Sequence, residues 1–80
     1  MAVTLVFLGK LADLAGGSER EVGGPLDWEG LIASFEPTLA DAMQADSTKI
    51  AVNGQVLADK TALTAADGAE IAFLPPVSGG

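Results

Sequence analysis

The chain has 80 residues, of which 49% are hydrophobic, and its net charge of -7 comes from four basic and eleven acidic side chains. This length supports one small domain with a thin core, and the negative charge opposes binding to nucleic acid or to an anionic membrane surface, because both need clustered Lys and Arg. The sequence contains no Cys, His or Tyr, which excludes thiol nucleophiles, an imidazole base, disulfides and the usual zinc ligands.

The first part of the chain is predicted to form a β-hairpin with a short helical turn between its strands. Apolar side chains alternate along residues 2–8, and the second face of this strand becomes apolar toward Leu8. Residues 10–15 fit a short helix that is closed by Gly16-Gly17, and residues 18–22 fit a polar strand that returns beside the first.

The middle of the chain is predicted to form the main helix. Residues 23–25 are Gly-Gly-Pro and break the chain, after which Asp27 is a candidate N-cap. Apolar side chains recur at helical spacing over 28–35, and Pro37 ends or kinks the helix. A second short helix is expected over 38–45.

The last part of the chain is predicted to form a hairpin and a final strand. Residues 49–52 and 55–57 flank Asn53-Gly54, a dipeptide that suits a two-residue hairpin turn. Asp67-Gly68 is a further turn, and residues 69–74 alternate as a strand.

This order of elements predicts an α+β fold of the ubiquitin-like β-grasp type, a mixed sheet with the main helix packed on one face. The final strand would lie parallel beside the first in the centre of the sheet. The parity of these two strands then places Val6, Leu8, Ala72 and Leu74 on the open face, next to the point where Pro75 leaves the sheet. Such a patch suits docking of a partner, although singly exposed leucines are common and need no function.

The end of the chain is predicted to form a tail, Pro75-Pro76-Val77-Ser78-Gly79-Gly80. We expect a β-grasp domain over 1–74 and a flexible tail over 75–80, because the two prolines end strand pairing and the residues beyond them bury nothing. The tail narrows to two glycines, so the group available for chemistry is the α-carboxylate of Gly80.

The ending over 73–80 resembles the tail of the small subunit of molybdopterin synthase, the MoaD group of ubiquitin-like sulfur carriers. Residues 7–16 are similar to the first loop of that family, and residues 51–54 and 67–71 are similar to its later strands. The specific part of this resemblance is the Pro-Pro-hydrophobic-Ser-Gly-Gly ending.

The resemblance implies that a ubiquitin-activating-like adenylyltransferase uses ATP to adenylate the carboxylate of Gly80. Sulfur from a donor protein then converts Gly80 to a thiocarboxylate. The tail would thread into the large subunit of molybdopterin synthase, within a heterotetramer, and two sulfur deliveries would build the dithiolene of the molybdenum cofactor. Catalytic residues are expected in the large subunit, so this chain would donate sulfur and bind no metal or cofactor itself.

Two other functions remain open from the sequence. One is the related sulfur carrier for thiazole synthesis in thiamin production. The other is a ubiquitin-like modifier or binding module, in which Gly80 forms amide bonds to lysines or does no chemistry.

The remaining features of the sequence concern location and charge. The apolar start lacks a preceding positive region and is too short to span a bilayer, so we expect a cytoplasmic protein. The acidic side chains could face a basic rim on a partner, but scattered Asp and Glu also fit a solvated surface. Asp59 and Asp67 are expected to be turn residues, because neither lies in a loop with calcium-binding spacing.

Overall fold

The computed structural model describes residues 2–75 as a five-stranded mixed sheet with helices packed on one face. Its elements are β1 (Ala2–Phe7), α1 (Lys10–Ala15), β2 (Glu19–Gly23), β3 (Leu26–Asp27), α2 (Trp28–Ala33), α3 (Pro37–Gln44), β4 (Lys49–Val52), β5 (Gln55–Val56), a 3₁₀ turn (Lys60–Ala62), β6 (Thr64–Ala65) and β7 (Glu70–Leu74). The sheet order is β2-β1-β7-β4-β5, while β3 and β6 pair separately. The predicted α+β β-grasp architecture is confirmed.

The first and last strands lie side by side and run parallel at the centre of the sheet. Val6 is aligned with Ala72, and Phe7 is aligned with Phe73. The amide of Leu8 donates to the carbonyl oxygen of Phe73 at 3.2 Å, so the pairing continues to the last residue before the turn into α1. The predicted parallel pairing and strand parity are therefore confirmed.

The core lies between the sheet and the helices. Three aromatic rings form its centre: Phe7 stacks on Phe73 with centroids 5.0 Å apart, and Phe35 meets each of them edge-on at 6.0 Å. Leu39 and Met43 of α3 are fully buried beside the sheet. Aromatic pairs of this geometry add about 0.5–1.5 kcal/mol each beyond area burial. They hold the helical layer to the two strands that lead to the tail.

The helical layer differs from the prediction of one main helix followed by a shorter one. Asp27 is the N-cap of α2, as expected, and its Oδ1 accepts from the amide of Gly30 at 2.8 Å. However, α2 has six residues and α3 has eight. The hydroxyl of Ser34 donates to the carbonyl oxygen of Leu31, which competes with continuation of the helix. Glu36 is extended, as the residue before a proline prefers, and Pro37 starts a new helix.

The turns follow the sequence closely, while one short ladder was not predicted. Asn53 and Gly54 have φ angles of 51° and 86°, which suit the predicted hairpin turn. The unpredicted ladder pairs Leu26 with Ala65 and Asp27 with Thr64. Its strands have two residues each, which is too short for an alternation pattern to be visible.

Candidate functional site

The tail begins at a defined position on the sheet. The strand β7 ends at Leu74, and the half-buried Pro75 follows it. A Cβ placed on Gly9, at the end of β1, would lie 3.1 Å from Cγ of Pro75, so the first tail residue packs against the turn between β1 and α1.

The rest of the predicted tail, Pro76-Val77-Ser78-Gly79-Gly80, lies outside the described residues. The assignment of Gly80 as the reacting residue therefore remains a prediction, as do the threading role of the tail and the division of the chain into 1–74 and 75–80.

The predicted apolar patch is present on the open face of the sheet. Val6 and Ala72 are paired across β1 and β7, and both are half-buried. Leu74 is also half-buried, whereas Leu8 is 41% exposed. The structure aligns Val6 with Ala72, places Leu74 two residues further along β7 on the same face, and ends the pairing of the two strands at Leu8. The role of these residues in binding a partner stays a prediction.

The apolar surface extends further than the sequence indicated. Ala72 is aligned with Ala51 on β4, and Ala51 is aligned with Val56 on β5. Val56 is 55% exposed. We call Val6, Ala72, Ala51 and Val56 the outer apolar row, because they lie side by side across four strands on one face. The signal that could have revealed Ala51 and Val56 is the pairing of β4 with β7, which needs a long-range register.

Charged side chains surround the outer apolar row asymmetrically. Glu19 of β2 is aligned with Val6 of β1. Thr4 of β1 is aligned with Glu21 on one side and with Glu70 of β7 on the other. Lys49, by contrast, is aligned with Leu74, at the end where the tail begins. Carboxylates thus lie along one edge and at the end remote from the tail, while an ammonium group lies beside the tail's start.

Arg20 is engaged within the fold. Its Nη2 donates to the carbonyl oxygen of Ala15 at 2.8 Å, and Nη1 lies 3.7 Å from Oε1 of Glu36. The guanidinium carbon lies 5.8 Å from the ring centre of Phe7 and 5.7 Å from that of Phe35. Arg20 therefore joins β2 to the helical layer.

Lys60 is engaged at the carboxyl end of α3. Its Nζ donates to the carbonyl oxygens of Ala45 and Thr48, the second at 3.0 Å. Partial burial lowers the pKa of Lys60 below its usual value, and the charge of Asp46 opposes this shift. A cation here complements the negative end of the helix dipole.

Asp59 has a structural role, as predicted for a turn residue. Its Oδ1 accepts from the hydroxyl of Thr61 at 2.6 Å and from the amide of Thr61 at 3.0 Å. These two hydrogen bonds hold the pKa of Asp59 below its ordinary value of 3.8. Over residues 2–75, no group of three or more acidic, His or Cys residues is arranged to hold a metal ion.

The described helices also bear on the membrane question. None of the helices within residues 2–75 has the length and apolar character needed to cross a membrane.

The sheet order, with the first and last strands parallel at its centre, defines the class of the protein: it has the fold of the ubiquitin-like sulfur carriers. The chain belongs to the ThiS family, whose model matches residues 5–80. No curated protein matches the chain.

Several solved structures are similar over nearly the whole chain. SAMP1 from Haloferax volcanii is 26% identical, with 100% of each chain covered and a TM-score of 0.67. A complex of subunits 1 and 2 of the molybdopterin-converting factor from Helicobacter pylori contains a chain that is 24% identical, again with 100% of each covered, at a TM-score of 0.69. A BexX/CysO complex from Amycolatopsis orientalis contains a chain that is 20% identical, covering 99% of this chain and 100% of that one, at a TM-score of 0.71.

These similarities confirm the resemblance to the ubiquitin-like sulfur carriers. Two of the three similar structures are complexes of two proteins, which makes a protein partner a reasonable expectation for this chain as well. Because the similar structures include SAMP1, a molybdopterin-converting factor subunit and CysO, they leave the pathway open.

Proposed function

We propose that this chain is the small, sulfur-donating subunit of a molybdopterin synthase, with sulfur carried at Gly80. The observation that supports a sulfur carrier is that the ThiS family match runs through residue 80, and the choice of the molybdopterin pathway rests on the resemblance of the Pro-Pro to Gly-Gly ending to that of the MoaD group. That ending is the part of the sequence most specific to the MoaD group. The fold supports the proposal by starting the tail at Pro75, beside an exposed apolar face.

Sulfur loading of the Gly80 carboxylate takes two steps. An oxygen of the Gly80 carboxylate attacks the α-phosphorus of ATP, so that an acyl adenylate forms and pyrophosphate leaves. A sulfur nucleophile at the oxidation level of sulfide, supplied by a donor protein, then attacks the carbonyl carbon, and AMP leaves with the C–O bonding electrons. The product is a thiocarboxylate. Activation is required because a free carboxylate would have to expel oxide, which is a very poor leaving group.

The thiocarboxylate then acts as the sulfur nucleophile in the large subunit. We propose that the tail 75–80 enters that subunit, where Gly79 and Gly80 suit a narrow channel because they have no side chains. The extended residues Val77 and Ser78 would offer backbone hydrogen bonds to its walls. Two such deliveries supply the two sulfur atoms of the dithiolene, and the large subunit supplies the catalytic residues and binds the pyranopterin substrate.

The outer apolar row, together with Leu8 and Leu74, is the proposed docking surface for the adenylyltransferase and the large subunit. A contiguous apolar surface beside the tail allows a partner to bind the domain and receive the tail in one orientation. This surface is also where charge changes sign, from Glu21 and Glu70 to Lys49. We expect a partner with basic side chains opposite the two glutamates.

The proposal is tested by the intact mass of the protein, with fragmentation to localise any change. The purified chain is incubated with the adenylyltransferase of its host, ATP and a sulfur donor. Replacement of one oxygen by sulfur at Gly80 supports the proposal, while an unmodified Gly80 under these conditions contradicts it. Gly80→Ala is expected to abolish loading, and Gly54→Ala, in a turn far from the tail, is the matched control that should load normally.

A modifier function is the second candidate, because the chain is similar to SAMP1 structures, one of which is described as a small archaeal modifier protein. In that case Gly80 would form isopeptide bonds to lysines of other proteins. Adducts that survive denaturing gels and carry a Gly-Gly remnant on lysine would favour this function. Copurification with a thiazole-forming enzyme instead of a pyranopterin-binding subunit would favour the thiamin pathway.

A further inference from the structure

Gly9 lies between β1 and α1 in a backbone conformation that glycine adopts readily and other residues do not. Its φ and ψ angles are 57° and -135°, a combination that residues with side chains rarely adopt. The backbone is fixed on both sides of it, because the amide of Leu8 donates to Phe73 and the amide of Ala12 donates to the carbonyl oxygen of Gly9 at 3.1 Å. The conformation of Gly9 is thus tied to β7 on one side and to the first helix on the other.

The ring of Pro75 lies against this glycine. A Cβ on Gly9 would be 3.1 Å from Cγ of Pro75 and 4.0 Å from its Cβ. The closer distance is shorter than ordinary van der Waals contact between carbon atoms. Because the proline ring is closed onto the main chain, it can yield only by a change of ring pucker or a small shift of the backbone. A side chain on Gly9 would therefore have to displace the Pro75 ring by a few tenths of an ångström.

We propose that Gly9 is a positioning residue for the tail: it forms the seat of the Pro75 ring and so sets the direction in which the chain continues beyond Pro75. Gly9 touches neither the reacting carboxylate nor ATP, and it acts through Pro75. This seat is a property of the domain itself, while its effect on loading rests on the proposed function.

The expected consequence of filling the seat is a change in rate and not in docking. In Gly9→Ala the outer apolar row is unchanged, so KM for the adenylyltransferase should change less than about threefold. The α-carboxylate of Gly80, however, would approach the adenylyltransferase from a displaced Pro75. The contact requires a shift of a few tenths of an ångström, and because a misplacement of 1 Å can lower a rate by about 100-fold, we expect kcat for loading to fall by about three- to tenfold.

Gly54→Ala is the control for adding a side chain to a glycine with positive φ. Gly54 also has a positive φ, 86°, but nothing lies within 4 Å of a Cβ placed on it. It lies in the turn next to Asn53, whose amide donates to Glu70 at the start of β7. This variant should strain a glycine conformation while leaving the seat of Pro75 untouched, so its loading rate should equal that of the wild type.

The seat is tested directly by NMR spectroscopy of the chain alone. The wild type and Gly54→Ala should show a nuclear Overhauser effect between the Hα protons of Gly9 and the ring protons of Pro75. In Gly9→Ala, the Cα–Hα residual dipolar coupling of Pro75 should change relative to those of β7. Absence of the Overhauser effect in the wild type, or an unchanged Pro75 coupling in Gly9→Ala, would overturn the proposal.

The kinetic test is a double-mutant cycle with Pro75→Ala, which removes Cγ and keeps the contact at 4.0 Å. If Gly9 acts through the ring, Gly9→Ala should lower kcat strongly in the wild type and by less than about twofold in the Pro75→Ala background. Equal losses in both backgrounds, or an equal loss in Gly54→Ala, would refute the positioning role. If the wild type takes up no sulfur, the proposed function fails, and the NMR result alone still decides whether the seat exists.

Discussion

Arg20 offers the sharpest test of how this small domain is held together. Its guanidinium group lies against the rings of Phe7 and Phe35 and donates to the carbonyl oxygen of Ala15, whereas its ion pair with Glu36 is long and partly exposed. We therefore expect Arg20→Met, which keeps much of the side-chain stem, to destabilise the domain through lost stacking and a lost hydrogen bond.

The magnitude follows from these contacts. A hydrogen bond from a charged group contributes about 1.5–3 kcal/mol, and each cation–π contact at a partly exposed site contributes about 0.5–1 kcal/mol. The side chains of Arg20 and Glu36 are 30% and 60% exposed, so the ion pair adds less than about 0.5 kcal/mol after solvent screening. Methionine recovers part of the packing. The free energy of unfolding should fall by about 2 kcal/mol, or roughly 8–16 °C in Tm for a domain of this size.

Urea unfolding of Arg20→Met, Arg20→Lys and Glu36→Gln measures these differences. Arg20→Lys keeps the charge but loses the planar group, so its stability should lie between those of the wild type and Arg20→Met. Glu36→Gln should lose less than about 0.5 kcal/mol. A loss in Glu36→Gln as large as that in Arg20→Met would show that the ion pair, and not stacking on the aromatic rings, stabilises this edge.

Three further predictions concern the surface, the core and pH. Leu8→Asp and Val56→Asp should each weaken binding to the adenylyltransferase by about 10-fold, measured by calorimetry. Their unfolding free energies should lie close to that of the wild type because Leu8 is 41% and Val56 is 55% exposed. Normal binding of Val56→Asp would remove β5 from the interface. Met43→Ala should lower the unfolding free energy by about 2–5 kcal/mol, since Met43 is fully buried, and a loss below 1 kcal/mol would mean that the core collapses around the site. Hydrogen bonds from Thr61 lower the pKa of Asp59 in the folded state. The stabilising effect of the Asp59 carboxylate is therefore present above the unfolded pKa of 3.8 and is lost as the pH falls through the folded pKa. Urea unfolding between pH 2 and 6 should show a smaller loss of unfolding free energy at low pH in Asp59→Asn than in the wild type.

The central strands could be predicted from the sequence because the evidence for them is local. Alternation along 2–8 and 69–74 assigns each side chain to a face, and parallel pairing then aligns Val6 with Ala72. The Asn53-Gly54 turn was equally clear, since its φ angles depend on those two residues alone. The position of the patch beside Pro75 follows from this alternation together with the parallel pairing of the two strands, which the order of elements in a β-grasp fold predicts.

The rest of the fold depends on interactions between distant residues. The division of the helical layer reflects competition between Ser34, which bonds back to Leu31, and Pro37, which starts α3. The extension of the apolar surface to Val56 depends on how β4 aligns with β7, and no pattern within β5 shows this. The seat of Pro75 at Gly9 joins residues from opposite ends of the chain, so only a three-dimensional structure could show it.

The positions of the basic side chains would give the proposed docking face a direction. Arg20 and Lys60, two of the four basic residues, are engaged within the fold, which leaves the open face with acidic groups along one edge and Lys49 beside the start of the tail. Glu70 lies four residues before Leu74 on β7, or about 13 Å along the strand. An apolar patch alone could be approached in two opposite orientations. If a partner docks here as proposed, a charge that changes sign along the strands would favour the one orientation in which its channel lies at the Pro75 end, because the reverse orientation would bring like charges together.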